Sequence, residues 1–198
     1  MITIALSKGR IETNFYKMLL EKNISKNIID PKRNLKINIE NKYEILLVKS
    51  IDVIKLVSEK YANIGIVGSD TIEETNNNNI KELLNLNTGK CTFALASTEK
   101  TKLENIKLIA TKYPNITKRL IKELEINPKI IKMEGSLELA PLINYADAIV
   151  DLVETGNTLK ANGLIILKNL EQISTRIITN YENENNEEIN EFIKKIKK

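Results

Sequence analysis

DAIVDLVETGNTLKANG, residues 147–163, joins an apolar run to a glycine turn and a segment with helical character. The run before Glu154 is almost continuously apolar, which is typical of a strand covered on both faces. The turn through residues 154–156 leads into a short helix predicted to begin at Asn157. This order of strand, glycine turn and helix is typical of an α/β fold, in which amide groups at a helix N-terminus can bind phosphate.

The residue types in this turn suit a phosphorylated sugar. Gly156 allows a positive φ and a close approach of the backbone to a ligand. Thr155 and Thr158 add hydroxyl donors, while Asp151 and Glu154 lie where the hydroxyl groups of a ribose or a bound Mg²⁺ would lie. The paired acids and threonines favour a phosphate site, with an ordinary capped turn as the alternative.

Apolar runs of strand length alternate with helix-like segments along the rest of the chain. This alternation predicts a mostly parallel sheet with right-handed crossovers. The predicted strands are 2–6, 63–68, 91–97, 106–112 and 147–153, with an antiparallel pair at 35–39 and 43–49 and helices at 12–22, near Pro114 and near Ser136.

Three loops follow predicted strands and are rich in polar residues and glycine. They are SKGR, which contains Lys8 and Arg10, then GSD, in which Ser69 or Asp70 is predicted as a helix N-cap, and ETGNT. Ligands of open α/β sheets bind at the carboxyl ends of strands, so these loops are the candidate binding elements.

Composition narrows the chemistry that the chain can perform. The 198 residues contain 30 basic and 26 acidic side chains, one cysteine and no histidine. Histidine-based triads and histidine metal ligands are therefore excluded, as is an internal disulfide. Aromatic residues are only 5% of the chain, which argues against an aromatic nucleic-acid surface. The short apolar start and the lack of a long apolar run lead us to expect a cytoplasmic protein.

DLVETGNTLKANGL resembles the phosphoribosyl pyrophosphate signature of the ATP phosphoribosyltransferase family, in its short form. The resemblance extends over the chain through ALSKGR, NIGIVGSD, TGKC, ATKYPN and EGSLELAPLINYADAIVDLVETG, in the family's order. It implies a glycosyltransferase of histidine biosynthesis, in which N1 of ATP displaces pyrophosphate from phosphoribosyl pyrophosphate. No metal-ligand set is assigned, because Mg²⁺ is expected to arrive with the substrate.

The family also implies a fold: two α/β lobes of the periplasmic-binding-protein type (type II), with the active site in the cleft between the lobes. Together with the composition change near residue 89, it predicts lobe I at 1–89 plus 170–198 and lobe II at 90–169. The expected partner is a histidyl-tRNA-synthetase-like regulatory subunit, which joins a homodimer of the catalytic chain in a hetero-oligomer.

The resemblance assigns roles residue by residue. The catalytic set is Lys8, Arg33 and Glu138, and the ATP or pyrophosphate side is Arg10, Lys49 and Asp70. The phosphoribosyl pyrophosphate site comprises Asp151, Glu154, Thr155, Gly156, Asn157 and Thr158.

Two positions depart from the family pattern. Lys49 stands where arginine is expected, and Asn63 stands where aspartate is expected. A lysine neutralises pyrophosphate without the bidentate fork of arginine, which leaves the role of Lys49 open. Two other functions stay open from the sequence: a binding module without chemistry, and a phosphoribosyltransferase for another base.

Overall fold

The structure of the protein is a computed structural model that describes residues 1–26 and 34–197. The strands are β1 (Ile2–Ser7), β2 (Lys36–Ile39), β3 (Tyr43–Val48), β4 (Ile64–Gly68), β5 (Ile80–Asn85), β6 (Cys91–Ser97), β7 (Leu108–Thr111), β8 (Lys129–Lys132), β9 (Ala148–Val153), β10 (Ile165–Ile173) and β11 (Thr175–Asn180). The helices are α1 (Arg10–Glu21), α2 (Ser50–Ser58), α3 (Ser69–Thr75), α4 (Pro114–Leu120), α5 (Leu139–Leu142), α6 (Asn157–Ala161) and α7 (Glu187–Lys197).

The chain forms two compact units, each with its own sheet. Unit 1 comprises Met1–Gly89 and Ser174–Lys198, and unit 2 comprises Lys90–Ile173. The sequence prediction put residues 170–173 in the first lobe, but they belong to β10, in which Gln172 and Ile173 pair with β6 of unit 2. Apolar patterning does not reveal this boundary, because β10 and β11 follow each other with only Ser174 between them.

Unit 1 has a six-stranded sheet in the order β2-β3-β1-β4-β11-β5. The central strands β3, β1 and β4 run parallel, so their carboxyl ends meet at one edge. One face of the sheet packs against α1 and α7 through residues such as Phe15 and Phe192, and the other packs against α2 through Val53 and Val57. Burial on both faces explains why β1 and β4 are almost entirely apolar.

Unit 2 has a five-stranded sheet in the order β10-β6-β9-β7-β8. The strands β8, β7 and β9 are parallel, whereas β6 is antiparallel to both β9 and β10. The core on one face contains Phe93, Ile109 and Ile116, and the core on the other contains Leu137 and Ile149.

The prediction of a mostly parallel sheet is wrong. Among the described residues, four strand pairs are parallel and five are antiparallel. β6 and β11 are buried on both faces. Such a strand has the same apolar pattern in either direction, so the pattern did not reveal that they are antiparallel to their neighbours.

The predicted cap of α3 is also wrong. Gly68, with φ −71° and ψ 148°, is the N-cap, and Ser69 and Asp70 lie in the first helical turn. Asp70 is buried, and its carboxylate folds back toward Gly68 at the start of α3. The helix predicted near Ser136 begins at Leu139 and is only one turn long.

Candidate active site

The turn between β9 and α6 has the geometry expected from its glycine. Gly156 adopts φ 75° and ψ 0° in the left-handed region and is the N-cap of α6. Thr155 Oγ1 accepts a hydrogen bond from the backbone N–H of Asn157 at 3.4 Å. Leu159 is buried in the core of unit 2 and fixes α6 against the sheet. The polar residues of the turn therefore stay exposed on a firmly attached segment.

The turn encloses a cavity of about 220 Å³ at the end of β9. Glu138, which directly precedes α5, contributes to the same cavity, so the structure brings it together with the predicted sugar-phosphate residues. The cavity is lined by Glu138, Asp151, Leu152, Val153, Glu154, Thr155, Gly156, Asn157, Thr158 and Leu159. It combines carboxylates, which can accept sugar hydroxyl groups, with hydroxyl and amide donors that can bind a phosphate.

The environment of Asp151 in this cavity shifts the pKa of its carboxyl group. Burial raises its pKa, and the negative charge of Glu138 raises it further. The backbone N–H of Leu152, which donates to Asp151 Oδ1 at 2.8 Å, and the positive charge of Lys112 both lower the pKa, but burial outweighs them. A partly buried acid beside a second acid is a common feature of functional sites.

Lys112 does not line the cavity, but its charge acts on Asp151, and it was not predicted as a site residue although it lies within the ATKYPN motif. It directly follows β7, and the last residue of β7, Thr111, pairs with Val150 of β9. Asp151 is the next residue of β9, so the two charged side chains follow paired positions. The signal was a cation at the end of a strand, but the sequence does not reveal that this strand lies beside β9.

In unit 1, the predicted residues around the first strands share one edge of the sheet. Lys8 follows β1, and its backbone N–H donates to Val48 O of β3 at 3.0 Å. Lys49 is the N-cap of α2 and is exposed, and Ser50 beside it hydrogen-bonds to Ser7 through the two Oγ atoms at 2.7 Å. Asp70 follows β4, the other parallel neighbour of β1.

The SKGR loop is shaped by its glycine. Gly9 has φ 89° and precedes Arg10, the first residue of α1, while the Glu12 carboxylate accepts a hydrogen bond from Gly9 N at 3.1 Å. Lys8 and Arg10 are exposed on either side of this turn. Arg33, predicted to be catalytic, lies outside the described residues.

The sequence that carries these loops matches known proteins. The family model described as HisG: ATP phosphoribosyltransferase matches residues 49–198. A curated ATP phosphoribosyltransferase from Clostridium botulinum (strain Okra / Type B1) is 46% identical over 186 residues, covering 90% of this chain and 87% of that protein. The chain belongs to the ATP phosphoribosyltransferase family. The predicted family and glycosyltransferase class are thus confirmed.

Solved structures agree with this family and with the predicted fold. The ATP phosphoribosyl transferase (HisG:HisZ) complex from Thermotoga maritima contains a chain that is 29% identical, with a TM-score of 0.79 and coverage of 100% of this chain and 97% of that one. The periplasmic VFT2 domain of Bordetella pertussis BvgS is only 12% identical, with a TM-score of 0.64 and coverage of 98% and 86%. The second likeness is one of fold alone, and it confirms the two-lobed periplasmic-binding-protein type expected for an ATP phosphoribosyltransferase.

The described residues of this ATP phosphoribosyltransferase contain neither a cluster of metal ligands nor a membrane-spanning helix. Across residues 1–26 and 34–197, no three cysteine or acidic side chains converge as metal ligands would. No helix in the same ranges has the length and apolar character needed to span a membrane.

Proposed function

We propose that the chain transfers the phosphoribosyl group of phosphoribosyl pyrophosphate to N1 of ATP, releasing pyrophosphate in the first step of histidine biosynthesis. The observation that carries this proposal is the cavity at the end of β9, where a left-handed glycine turn and three carboxylates line one concave surface in a member of this family. ATP is the second substrate, and we propose a cytoplasmic location for the enzyme.

The glycine turn binds the 5-phosphate in this proposal. Backbone N–H groups of residues 155–158 and the hydroxyl groups of Thr155 and Thr158 donate to the phosphate oxygens. Gly156 lets the backbone approach closely, because its positive φ turns the chain without a side chain in the way.

The acidic wall of the cavity, formed by Glu138, Asp151 and Glu154, holds the ribose. Asp151 and Glu154 accept hydrogen bonds from the ribose hydroxyl groups, and this orients C1 toward the incoming base. Mg²⁺ would arrive with the substrate and would supply positive charge for the leaving pyrophosphate, and Asp151 and Glu154 would face it as they face the ribose.

Departure of pyrophosphate requires cations. The C1–O bond breaks with its electron pair leaving on pyrophosphate, so charge builds on that group while C1 becomes oxocarbenium-like. Lys8, Arg10, Arg33 and Lys49 are assigned to the polyphosphate groups of the two substrates. Lys49 supplies a point charge and not a bidentate fork.

The nucleophile needs no prior deprotonation. Adenine N1 carries a lone pair that forms the new bond to C1, which agrees with a chain that has no histidine. The positive charge that then forms on adenine is relieved when the exocyclic amine releases a proton. Glu138 or Asp70 is the acceptor.

The relative solved as a HisG:HisZ complex supports a proposal for the quaternary structure. We propose that this chain forms a homodimer that assembles with a histidyl-tRNA-synthetase-like regulatory subunit, as the family resemblance implies.

Growth of a histidine auxotroph that lacks ATP phosphoribosyltransferase tests the proposal. Co-expression of this chain with its regulatory partner should restore growth without histidine, while a Gly156→Val chain should not. Failure of the natural chain, expressed and folded with its partner, would contradict the proposed function.

A further inference from the structure

Lys112 directly follows β7, which lies between β9 and β8 in the unit 2 sheet. Thr111, the last residue of β7, pairs with Lys132 of β8 on one side and with Val150 of β9 on the other. Neighbouring strands are about 4.8 Å apart, so the residue after Thr111 lies within side-chain reach of both flanking strand ends. Lys112 therefore lies between the segment that carries Glu134 and the strand that carries Asp151.

A buried network of hydroxyl groups holds this position. Thr111 is fully buried, and its Oγ1 donates to Val150 O at 2.7 Å. The same oxygen accepts hydrogen bonds from Tyr113 N at 3.0 Å and from Thr117 Oγ1 at 3.1 Å. Thr111 is thus tied to β9, and Tyr113 is tied to Thr111, so the backbone on both sides of Lys112 is held beside the strand that carries Asp151.

The electrostatic balance of the cavity gives Lys112 its importance. Three carboxylates, those of Glu138, Asp151 and Glu154, line the cavity, and the described lining residues include no lysine or arginine. Phosphoribosyl pyrophosphate is a polyanion, and like charges within several ångströms repel strongly near a protein surface. The wall needs a nearby cation to accept such a substrate.

The surroundings of Asp151 identify this cation. Its Cα partner on β6 is Ala94, which brings no charge. Among the described residues, the charge of Lys112 lowers the pKa of Asp151 and the charge of Glu138 raises it. The charge of Lys112 also lowers the pKa of Glu134. Glu134 has its own cation, because Lys132 Nζ lies 2.7 Å from Glu134 Oε1. Lys112 is thus left to compensate Asp151.

We propose that Lys112 is a positioning residue of the phosphoribosyl site, whose ammonium group compensates the charge of Asp151 so that this wall accepts the polyanionic substrate. The inference rests on the proposed function for the identity of the substrate. It assigns Lys112 an action through Asp151 and not a direct bond to the substrate.

Replacement of Lys112 by methionine, which keeps the length of the side chain and removes the charge, tests the proposal in the complex with the regulatory partner. The KM for phosphoribosyl pyrophosphate should rise about tenfold while kcat changes little, the pattern of lost substrate binding. Lys112→Arg should restore the KM. Lys118→Met is the matched control, since Lys118 is an exposed cation on the adjacent α4. It should behave as the natural enzyme does.

A double-mutant cycle separates action through Asp151 from direct contact. In an Asp151→Asn background, Lys112→Met should weaken binding of phosphoribosyl pyrophosphate far less than it does in the natural chain. An equal loss in both backgrounds, or unchanged binding in Lys112→Met alone, would overturn the proposal. Lys112→Gln provides the same test if the methionine variant does not fold. Calorimetric Kd values for phosphoribosyl pyrophosphate test the role of Lys112 without any need for turnover. Absence of ATP-dependent turnover would count against the proposed function and not against this role.

Discussion

Gly156 is the residue on which the phosphate site depends most directly. Its φ of 75° is a conformation that a β-branched side chain adopts only with strain, of about 1–2 kcal/mol. Gly156→Val should also obstruct the phosphate and remove at least one charge-assisted hydrogen bond. We expect the Kd for phosphoribosyl pyrophosphate to rise about 100-fold, measured by calorimetry on folded protein.

Gly163→Val is the matched control for strain. Gly163 has φ 71° and open space around the position of a Cβ, and it does not line the cavity. The control should lose a similar amount of stability and keep its affinity for phosphoribosyl pyrophosphate. If the two valine variants bind phosphoribosyl pyrophosphate with equal affinity, the glycine turn at Gly156 does not bind its phosphate.

Asp151 gives a prediction about pH and stability. Its pKa is raised in the folded chain, so folding is penalised above that pKa, where the carboxyl must ionise, and the penalty disappears as the pH falls below the unfolded value. Asp151→Asn should therefore raise the melting temperature at pH 7, and the gain should shrink in acid. The same change should weaken binding of phosphoribosyl pyrophosphate.

Asp147→Asn is the contrasting control on the same strand segment. Asp147 Oδ2 accepts hydrogen bonds from Lys107 N and Leu108 N, both at 2.8 Å, so loss of its charge should lower the melting temperature. If Asp151→Asn also destabilises the chain at pH 7, burial is not the dominant influence on Asp151.

Residues of the site could be predicted from the sequence where the geometry is local. Gly156 and the two threonines beside it lie within one turn, and a turn depends on its own residues. Lys112 escaped prediction because its proximity to Asp151 depends on which strands are neighbours. The sequence predicts Ser69 or Asp70 as the cap of α3, but Gly68, with its extended backbone, takes that position and Asp70 lies buried in the first turn.

At the scale of elements, the junction between β7 and α4 is stabilised by a single hydroxyl group. Thr111→Val should remove the hydroxyl oxygen that accepts hydrogen bonds from Tyr113 N and Thr117 Oγ1 inside the core. The free energy of unfolding in urea should fall by about 1–3 kcal/mol. Thr111→Ser keeps the hydroxyl group and should lose much less. If Thr111→Ser, which removes only the methyl group, loses more stability than Thr111→Val, packing of the methyl group outweighs the hydrogen bonds here.

Existence of the elements was predictable, and their directions were not. Runs such as 2–6 and 91–97 are apolar enough to be buried strands in any sheet, and both are strands. Whether β6 runs parallel or antiparallel to β9 depends on contacts between segments more than 50 residues apart in sequence. Apolar patterning carries no information about such contacts.

At the scale of the whole molecule, regulation by histidine is the property that the proposed partner would supply. Feedback inhibition needs a second site coupled to the catalytic one. We expect the purified chain alone to have weak or no activity and no response to histidine. Addition of the histidyl-tRNA-synthetase-like partner should both activate it and confer inhibition, measured as turnover across a histidine titration. Strong inhibition of the isolated chain, well below concentrations that compete with substrate, would contradict this division of labour.

Release of pyrophosphate from phosphoribosyl pyrophosphate by the assembled enzyme, with ATP present or omitted, tests the central claim most directly. The proposed function predicts pyrophosphate release only when ATP is added, in equal amount with a phosphoribosylated ATP product. Pyrophosphate release that instead requires a different base, or saturable binding of phosphoribosyl pyrophosphate and ATP with no product, would contradict it.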